Sequence, residues 1–126
     1  MASTQILIVE DSPHVAGSIL DTLEVMGYEA RIAGTAADAF AAMEATTPDL
    51  ILLDWMLPDL EGIEVLRRVR QGPNAEVPVI MLTANGELNA RLIWLEAVAD
   101  YYLAKPFSIG ELRARIAAVL RRTGPA

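Results

Sequence analysis

The hydrophobic and polar positions of this chain follow two alternating patterns, short apolar runs and longer segments with helical spacing. The apolar runs have the length and residue types of buried strands. They cover residues 5–10, 29–33, 49–54, 78–83 and 101–104. Between them, apolar residues recur every three or four positions, which predicts amphipathic helices. Helices are predicted over residues 13–26, 35–45, 61–71 and 87–97, with a last helix beginning at Ser108.

Residues that cap helices stand at the predicted helix ends. Pro13 suits a first helical turn, with Asp11 or Ser12 as the cap before it, and Gly27 is placed to end that helix. Two later pairs have the spacing of capping boxes, namely Thr35 with Asp38 and Ser108 with Glu111. The predicted boundaries are therefore supported by local chemistry as well as by periodicity.

Alternation of strands and helices at these lengths predicts an α/β fold. Right-handed crossovers would give a five-stranded parallel sheet with helices on both faces. The chain has 126 residues, 53% of them hydrophobic, which suits a single domain with one sizeable core. We expect that domain to span residues 1–122, with 123–126 as a C-terminal end or the start of a linker.

Composition limits the classes of function. The net charge of −7 argues against direct nucleic-acid binding by this domain, because such binding depends on Lys and Arg. The chain shows no signal segment and no apolar run near the ~18 residues of a membrane span, so we expect a soluble, cytoplasmic protein. It has no Cys, which excludes disulfides, thiolate metal sites and a cysteine nucleophile.

Polar side chains stand at the carboxyl ends of four predicted strands. Glu10 ends the first strand and Asp11 follows it; Asp54 ends the third strand, Thr83 ends the fourth, and Lys105 follows the fifth. In a parallel sheet these ends meet at one edge, where sites form. Three carboxylates there would repel one another without a cation, and hard oxygen ligands favour Mg²⁺.

The same edge could also bind an anion. Lys105 and the Thr83 hydroxyl would provide positive charge and a hydrogen-bond donor for a phosphoryl group. Asp54, fixed at a strand end, can serve as the nucleophile. The residues therefore point to phosphoryl transfer, in which the protein mainly positions groups and neutralises charge.

Four motifs resemble the response-regulator receiver family of bacterial two-component systems. They are ILIVED at 6–11, DLILLDWMLPDLEG at 49–62, VIMLTA at 79–84 and YLAKPF at 102–107. Their order and spacing extend over nearly the whole chain. The resemblance implies a (βα)5 flavodoxin-like fold and a phosphorylation-dependent switch. A sensor histidine kinase would phosphorylate Asp54 in a Mg²⁺-dependent reaction, with only self-catalysed phosphorylation and dephosphorylation rather than turnover as an enzyme.

The resemblance also implies roles for single residues at the metal and at the phosphoryl group. Asp11 and Asp54 would bind the metal directly, Glu10 through water, and Met56 through its backbone carbonyl. Three residues would contact the phosphoryl group or respond to it: Thr83, Lys105 and the switch aromatic Tyr102. Met56 and Asn85 would tune dephosphorylation, and the bond between Lys105 and Pro106 resembles the cis peptide of the family.

The segment DLILLDWMLP and the closing RRT resemble receivers that precede a winged-helix DNA-binding domain. This implies regulation of transcription through an effector domain that is not in this chain. The output surface, also a possible homodimer face, would combine the helix predicted over 87–97, the last strand and the last helix. Its residues would be Arg91, Leu92, Trp94, Leu95, Val98, Tyr101, Glu111, Ala114 and Arg115.

Three of these positions depart from the family pattern. Trp94 and Val98 stand where glycine is common, and Tyr101 stands where an aspartate usually pairs with an arginine at the position of Arg115 across the dimer. Tyr101 cannot form that ion pair. We therefore expect the output surface to be rebuilt.

Other functions remain open on the sequence. A stand-alone relay receiver would carry the same site without an effector domain. An aspartyl phosphatase would place a second carboxylate two residues after the nucleophile, where this chain has Met56. A nucleotide or flavin module would need a glycine-rich loop after the first strand, and residues 10–14 contain no glycine. His14 is assigned no role.

Overall fold

The computed structural model of the protein describes residues 4–84 and 101–123. Its strands are β1 (Gln5–Val9), β2 (Glu29–Ala33), β3 (Leu50–Asp54), β4 (Val79–Ala84) and β5 (Tyr101–Lys105). Its helices are α1 (Pro13–Val25), α2 (Ala36–Ala45), α3 (Gly62–Gln71) and α4 (Ile109–Thr123). The helix predicted over 87–97 lies outside the described residues, as do Asn85, Arg91, Leu92, Trp94, Leu95 and Val98.

The five strands form one parallel sheet in the order β2-β1-β3-β4-β5. Each strand agrees with its predicted range to within a residue or so at either end. The order reverses at β1, which pairs with β2 on one side and β3 on the other. Such a reversal opens a crevice at the carboxyl ends of the two central strands, which is where α/β proteins of this topology place their sites.

Helices cover both faces of the sheet, as predicted. On one face α1 and α4 pack against alternate strand residues such as Ile8, Leu52 and Leu82. On the other face α2 and α3 pack against the intervening residues, such as Val9 and Leu53. The central strands are apolar on both sides because both sides are buried. Among the described residues, no helix combines the length and apolarity that crossing a membrane requires.

The helix ends confirm the predicted caps. Ser12, rather than Asp11, caps α1, and its Oγ accepts a hydrogen bond of 3.4 Å from the Val15 N–H. Gly27 follows α1 with a φ of 91°, in the left-handed region that glycine adopts without strain. The hydroxyls of Thr35 and Ser108 each accept a bond of 3.0 Å from the backbone three residues later, at Asp38 and Glu111.

Candidate functional site

The carboxyl edge of the sheet brings together residues from three strands. Glu10 directly follows β1, and its N–H donates to the carbonyl of Ala33 at 3.0 Å, which extends the pairing with β2 by one residue. Asp54 is the last residue of β3 and pairs in register with Leu82 of β4. Lys105 is the last residue of β5. The parallel register therefore delivers two carboxylates and an ammonium group to one place.

Lys105 joins the two buried carboxylates. Its Nζ donates to Glu10 Oε1 at 2.9 Å and to Asp54 Oδ1 at 3.0 Å. Glu10 is 2% exposed and Asp54 is 6% exposed, so both carboxylates are largely withdrawn from water. Burying such charges is unfavourable unless they are paired and hydrogen-bonded. The second oxygen of Glu10 accepts a bond of 3.2 Å from the Ser12 N–H.

Burial changes the ionisation of the central groups. It raises the pKa of Asp54 to about 6; the hydrogen bond from Lys105 opposes this rise and the charge of Glu10 adds to it. Burial alone would lower the pKa of Lys105. Its hydrogen bonds and attraction to Glu10 and Asp54 outweigh burial and raise that pKa above its ordinary value. Lys105 is therefore a fixed cation beside a carboxyl group that resists ionisation.

The carboxylates are arranged in a way that suits a divalent cation. One oxygen each from Glu10, Asp11 and Asp54 lies within 4.8 Å of the other two. Asp11 is exposed, so this cluster opens to solvent on one side. An all-oxygen donor set of this kind fits Mg²⁺, which binds through one or two carboxylates and keeps several waters. The three predicted side-chain ligands thus lie together.

The loop after β3 doubles back beside the site. The Trp55 N–H donates to the Leu82 carbonyl at 2.9 Å, and the Gly62 N–H donates to the Trp55 carbonyl at 2.6 Å. Met56 and Glu61 form an antiparallel bridge across the base of the loop. Met56 is 59% exposed, so its position in the loop is fixed by its backbone rather than by packing of the side chain.

Thr83 and Tyr102 lie on the strands that flank this edge. Thr83 is partly buried near the end of β4 and pairs in register with Ala104 of β5. Tyr102 is partly buried and packs against the core on the α2 and α3 face. The bond between Lys105 and Pro106 is cis, in agreement with the expectation from the family. Their roles towards a phosphoryl group stay predictions.

Tyr101 has a partner that sequence reasoning missed. The guanidinium carbon of Arg115 lies 4.2 Å from the centroid of the Tyr101 ring, a cation–π contact within one chain. Both residues are partly buried, whereas Glu111 and Ala114 on the same helix are exposed. Arg115, predicted as a residue of the output surface, is thus held against β5. A spacing of fourteen residues gives no local signal for such a contact.

Two further features were also missed. A groove of about 620 Å³ lies between the start of α1 and the segment after β5, next to Lys105. Its lining includes His14, Phe107 and Ile109, and His14 is exposed there.

The second feature is Asp59, whose carboxylate accepts hydrogen bonds from the first turn of α2. Neither could be found from motif spacing, since both depend on how distant segments fold together.

Comparison with known families agrees with this geometry. The family model described as "Response regulator receiver domain" matches residues 6–117. The phosphate regulon transcriptional regulatory protein PhoB of Pseudomonas aeruginosa is 48% identical over 126 residues, which cover 99% of this chain and 55% of that protein. The response regulator MprA of Mycobacterium tuberculosis is 40% identical over 123 residues, covering 98% and 53%. The chain therefore spans about half the length of these relatives.

One solved structure has a similar fold and contains a metal ion. The receiver domain of a sensor histidine kinase from Pseudomonas aeruginosa superposes with a TM-score of 0.84 at 36% identity, covering 93% of this chain and 97% of that one. That structure has a magnesium ion coordinated in its active site cleft.

Proposed function

This chain belongs to the response regulator receiver domain family, and on that basis we propose that it is a phosphorylation-dependent signalling switch. Asp54 is the phosphoacceptor in this proposal. Receivers of this family act as signalling proteins rather than as typical enzymes. The phosphoryl group comes from a sensor histidine kinase, and the reaction depends on Mg²⁺.

The observation that carries this proposal is the arrangement of charges at the carboxyl edge of the sheet. Three carboxylate oxygens, from Glu10, Asp11 and Asp54, lie within 4.8 Å of one another, and Lys105 reaches two of these residues. The site thus offers a nucleophilic carboxylate, ligands for a hard cation and a fixed positive charge. Phosphoryl transfer needs these three elements at one point.

The chemical step is a displacement at phosphorus. A carboxylate oxygen of Asp54 forms the new bond to phosphorus while the bond to the donor nitrogen or oxygen breaks, and the donor leaves with that electron pair. Glu10, Asp11, Asp54 and the Met56 carbonyl would hold Mg²⁺, whose charge offsets that of the carboxylates and phosphoryl oxygens. Lys105 would exchange its bond with Asp54 for one with a phosphoryl oxygen.

The names of the relatives favour regulation of transcription as the output of the switch. The relatives in Pseudomonas aeruginosa and Mycobacterium tuberculosis are named as a transcriptional regulatory protein and a response regulator, and this chain matches about half of each. We infer that the switch acts through an effector domain, as the resemblance to winged-helix regulators implies. A stand-alone relay is the alternative. The length of the gene that encodes this chain separates the two.

A small acyl phosphate and Mg²⁺ provide the direct test of the switch. Intact-mass spectrometry should show one added phosphoryl group on the parent and none on Asp54→Asn, whose amide is a poor nucleophile. Chelation of Mg²⁺ with EDTA should also prevent the addition. Asp49→Asn is a control for loss of one carboxylate, because Asp49 directly precedes β3, at the end of the strand opposite Asp54. Equal labelling of parent and Asp54→Asn would refute the assignment of the phosphoacceptor.

A further inference from the structure

Asp59 connects the loop that follows β3 to the start of α2, the helix that precedes β3 in the chain. Its Oδ1 accepts a hydrogen bond of 2.8 Å from the Ala36 N–H, and its Oδ2 accepts one of 3.1 Å from the Ala37 N–H. Both amides belong to the first turn of α2. One carboxylate therefore bridges two segments that are more than twenty residues apart in sequence.

The contact is chemically specific. The first N–H groups of a helix have no partner within the helix and carry partial positive charge, so a carboxylate binds them well. The hydrogen bond from Ala36, followed by that from Ala37, holds the pKa of Asp59 below its usual range although burial opposes the shift. Asp59 is therefore an ionised clamp on α2 at neutral pH, even though its surroundings are exposed.

The clamped loop lies next to the proposed metal site. It leaves β3 at Asp54 and returns at Gly62, with Met56 bridged to Glu61 at its base. Leu57 and Leu60 are partly buried against the core on the α2 and α3 face. The apolar residues seat the loop on the core, and the base is fixed by backbone bonds. Asp59 then ties its outer part to α2.

We propose that Asp59 is a positioning residue for the metal site, which it supports by clamping the loop that carries Met56 against the start of α2. This inference rests on the proposed function, since it concerns the Mg²⁺ ligands named there. The carbonyl of Met56 lies in the short stretch between Asp54 and Asp59, and its direction depends on the path of that stretch. The backbone bonds at the base remain when the clamp is lost, but the outer part of the loop is released, and we expect the Met56 carbonyl to be held less precisely.

A residue that only caps α2 would accept the same hydrogen bonds as Asp59. The control variant must therefore remove a cap of α2 without releasing the loop. Thr35 provides it, because its hydroxyl caps the same helix by accepting a bond of 3.0 Å from the Asp38 N–H. Thr35→Ala weakens the start of α2 and leaves the loop clamped. Asp59→Ala weakens the start of α2 and also releases the loop.

The experiment measures the Mg²⁺ dissociation constant of the 126-residue chain by titration calorimetry. Asp59→Ala should raise it by about tenfold, the lower end of the effect of outer-shell partners on metal sites. Thr35→Ala should leave it near the parent value. Asp59→Asn, which retains one acceptor oxygen but no charge, should lie closer to the parent than to Asp59→Ala. Hydrogen exchange of the amides of residues 55–57 and 59–61 should become faster in Asp59→Ala alone.

Three other outcomes would refute either this inference or the proposed metal site. Equal affinities in Asp59→Ala and Thr35→Ala would overturn the positioning role and leave the proposed function intact. If Asp59→Ala weakened Mg²⁺ binding without faster hydrogen exchange in the loop, the effect would be one of charge alone, and the clamp would again be refuted. If the parent itself bound no Mg²⁺, or if Asp11→Asn bound it equally well, the proposed metal site would fall and this inference with it.

Discussion

Lys105 Nζ lies 3.0 Å from Asp54 Oδ1, so the carboxylate proposed as the phosphoacceptor already has a cation beside it. The same ammonium group donates to Glu10, and the site is therefore neutralised in part by the protein itself. Phosphorylation would change this balance, because a phosphoryl group brings new negative charge within reach of Lys105. In the proposed reaction, Lys105 would therefore exchange one of its present partners for a phosphoryl oxygen.

The first prediction concerns competition between Lys105 and Mg²⁺ for the same oxygens. Lys105→Ala should lower the Mg²⁺ dissociation constant by ~10-fold or more, because a unit charge a few ångströms away contributes several kcal/mol at an effective dielectric of about 20 before screening. Titration calorimetry measures this, and Lys105→Arg, which keeps the charge, is the control. Weaker binding of Mg²⁺ by Lys105→Ala would show that the lysine assists the metal rather than opposing it.

The second prediction is that Asp54→Asn stabilises the fold at neutral pH. Burial raises the pKa of Asp54 from 3.8 to about 6, so ionising this group costs more in the folded protein than in the unfolded chain. A shift of that size corresponds to ~3 kcal/mol, and the loss of a partner for Lys105 should reduce the gain to about 1–2 kcal/mol at pH 7.5. Chemical denaturation measures the free energy of unfolding.

The sign of this effect can be checked by pH. Because the folded pKa is the higher one, the folded state holds more protons between pH 3.8 and about 6, and the contribution of Asp54 to stability falls as pH rises through that window. The advantage of Asp54→Asn should therefore shrink towards zero near pH 4. Asp21→Asn removes a carboxylate at an exposed position on α1 and is the control for the loss of one negative charge. A gain that persisted at pH 4 would contradict burial of the charge as its cause.

The described part of the fold and the shared position of several site residues could be predicted from the sequence. Strands and helices follow local periodicity, and parallel strands bring their carboxyl ends to one edge, so Glu10, Asp54 and Lys105 are expected to lie together. Gly27 was equally predictable, because ending a helix with a left-handed residue is a local requirement.

Contacts between segments without a shared pattern could not be predicted. The carboxylate of Asp59 reaches the amide of Ala36 only because a loop folds over the start of α2, and the spacing of 23 residues carries no periodic signal. The stacking of Arg115 on Tyr101 depends likewise on how α4 crosses β5. The sequence predicts that Lys105 lies near the carboxylates of Glu10 and Asp54. Which of their oxygens accept its hydrogen bonds depends on side-chain geometry.

The third prediction concerns Gly62, at the start of α3. A Cβ atom there would collide with the Asp54 carbonyl oxygen and would lie 2.9 Å from the Trp55 Cα and carbonyl oxygen, all of them backbone atoms that cannot rotate away. Gly62→Ala should therefore lower the free energy of unfolding by ~3 kcal/mol or more, at the upper end of overpacking costs. It should also slow labelling of Asp54 by the small acyl phosphate.

Gly17, within α1, is the matched control for this substitution. A Cβ at Gly17 meets no atom within 4 Å, so Gly17→Ala should raise stability by ~0.5–1 kcal/mol through the better helix propensity of alanine. Urea denaturation of the two variants should thus give changes of opposite sign. Similar small effects at both positions would mean that the turn after β3 has room to relax.

The fourth prediction concerns the groove next to Lys105, as a surface for the kinase. In the proposed reaction a phosphohistidine of the kinase would have to approach Asp54 closely, and the apolar groove that adjoins Lys105 offers contact area beside that path. Ile109 lines this groove at 43% exposed and begins α4. Ile109→Glu should slow phosphotransfer from a sensor histidine kinase by ~10-fold, because a charge in a desolvated contact acts like the loss of a hot spot. Labelling by the small acyl phosphate should not change.

Ile32 supplies the control, since it is 45% exposed and lies on β2 at the far edge of the sheet. Ile32→Glu makes the same change at the same exposure, away from the groove, and should leave both reactions at the parent rate. Initial rates with the radiolabelled, phosphorylated kinase and with the acyl phosphate distinguish docking from chemistry, because the acyl phosphate is too small to use a docking surface. If Ile109→Glu slowed both donors equally, its effect would lie in the site itself. If it slowed neither, the kinase would approach Asp54 over a different surface.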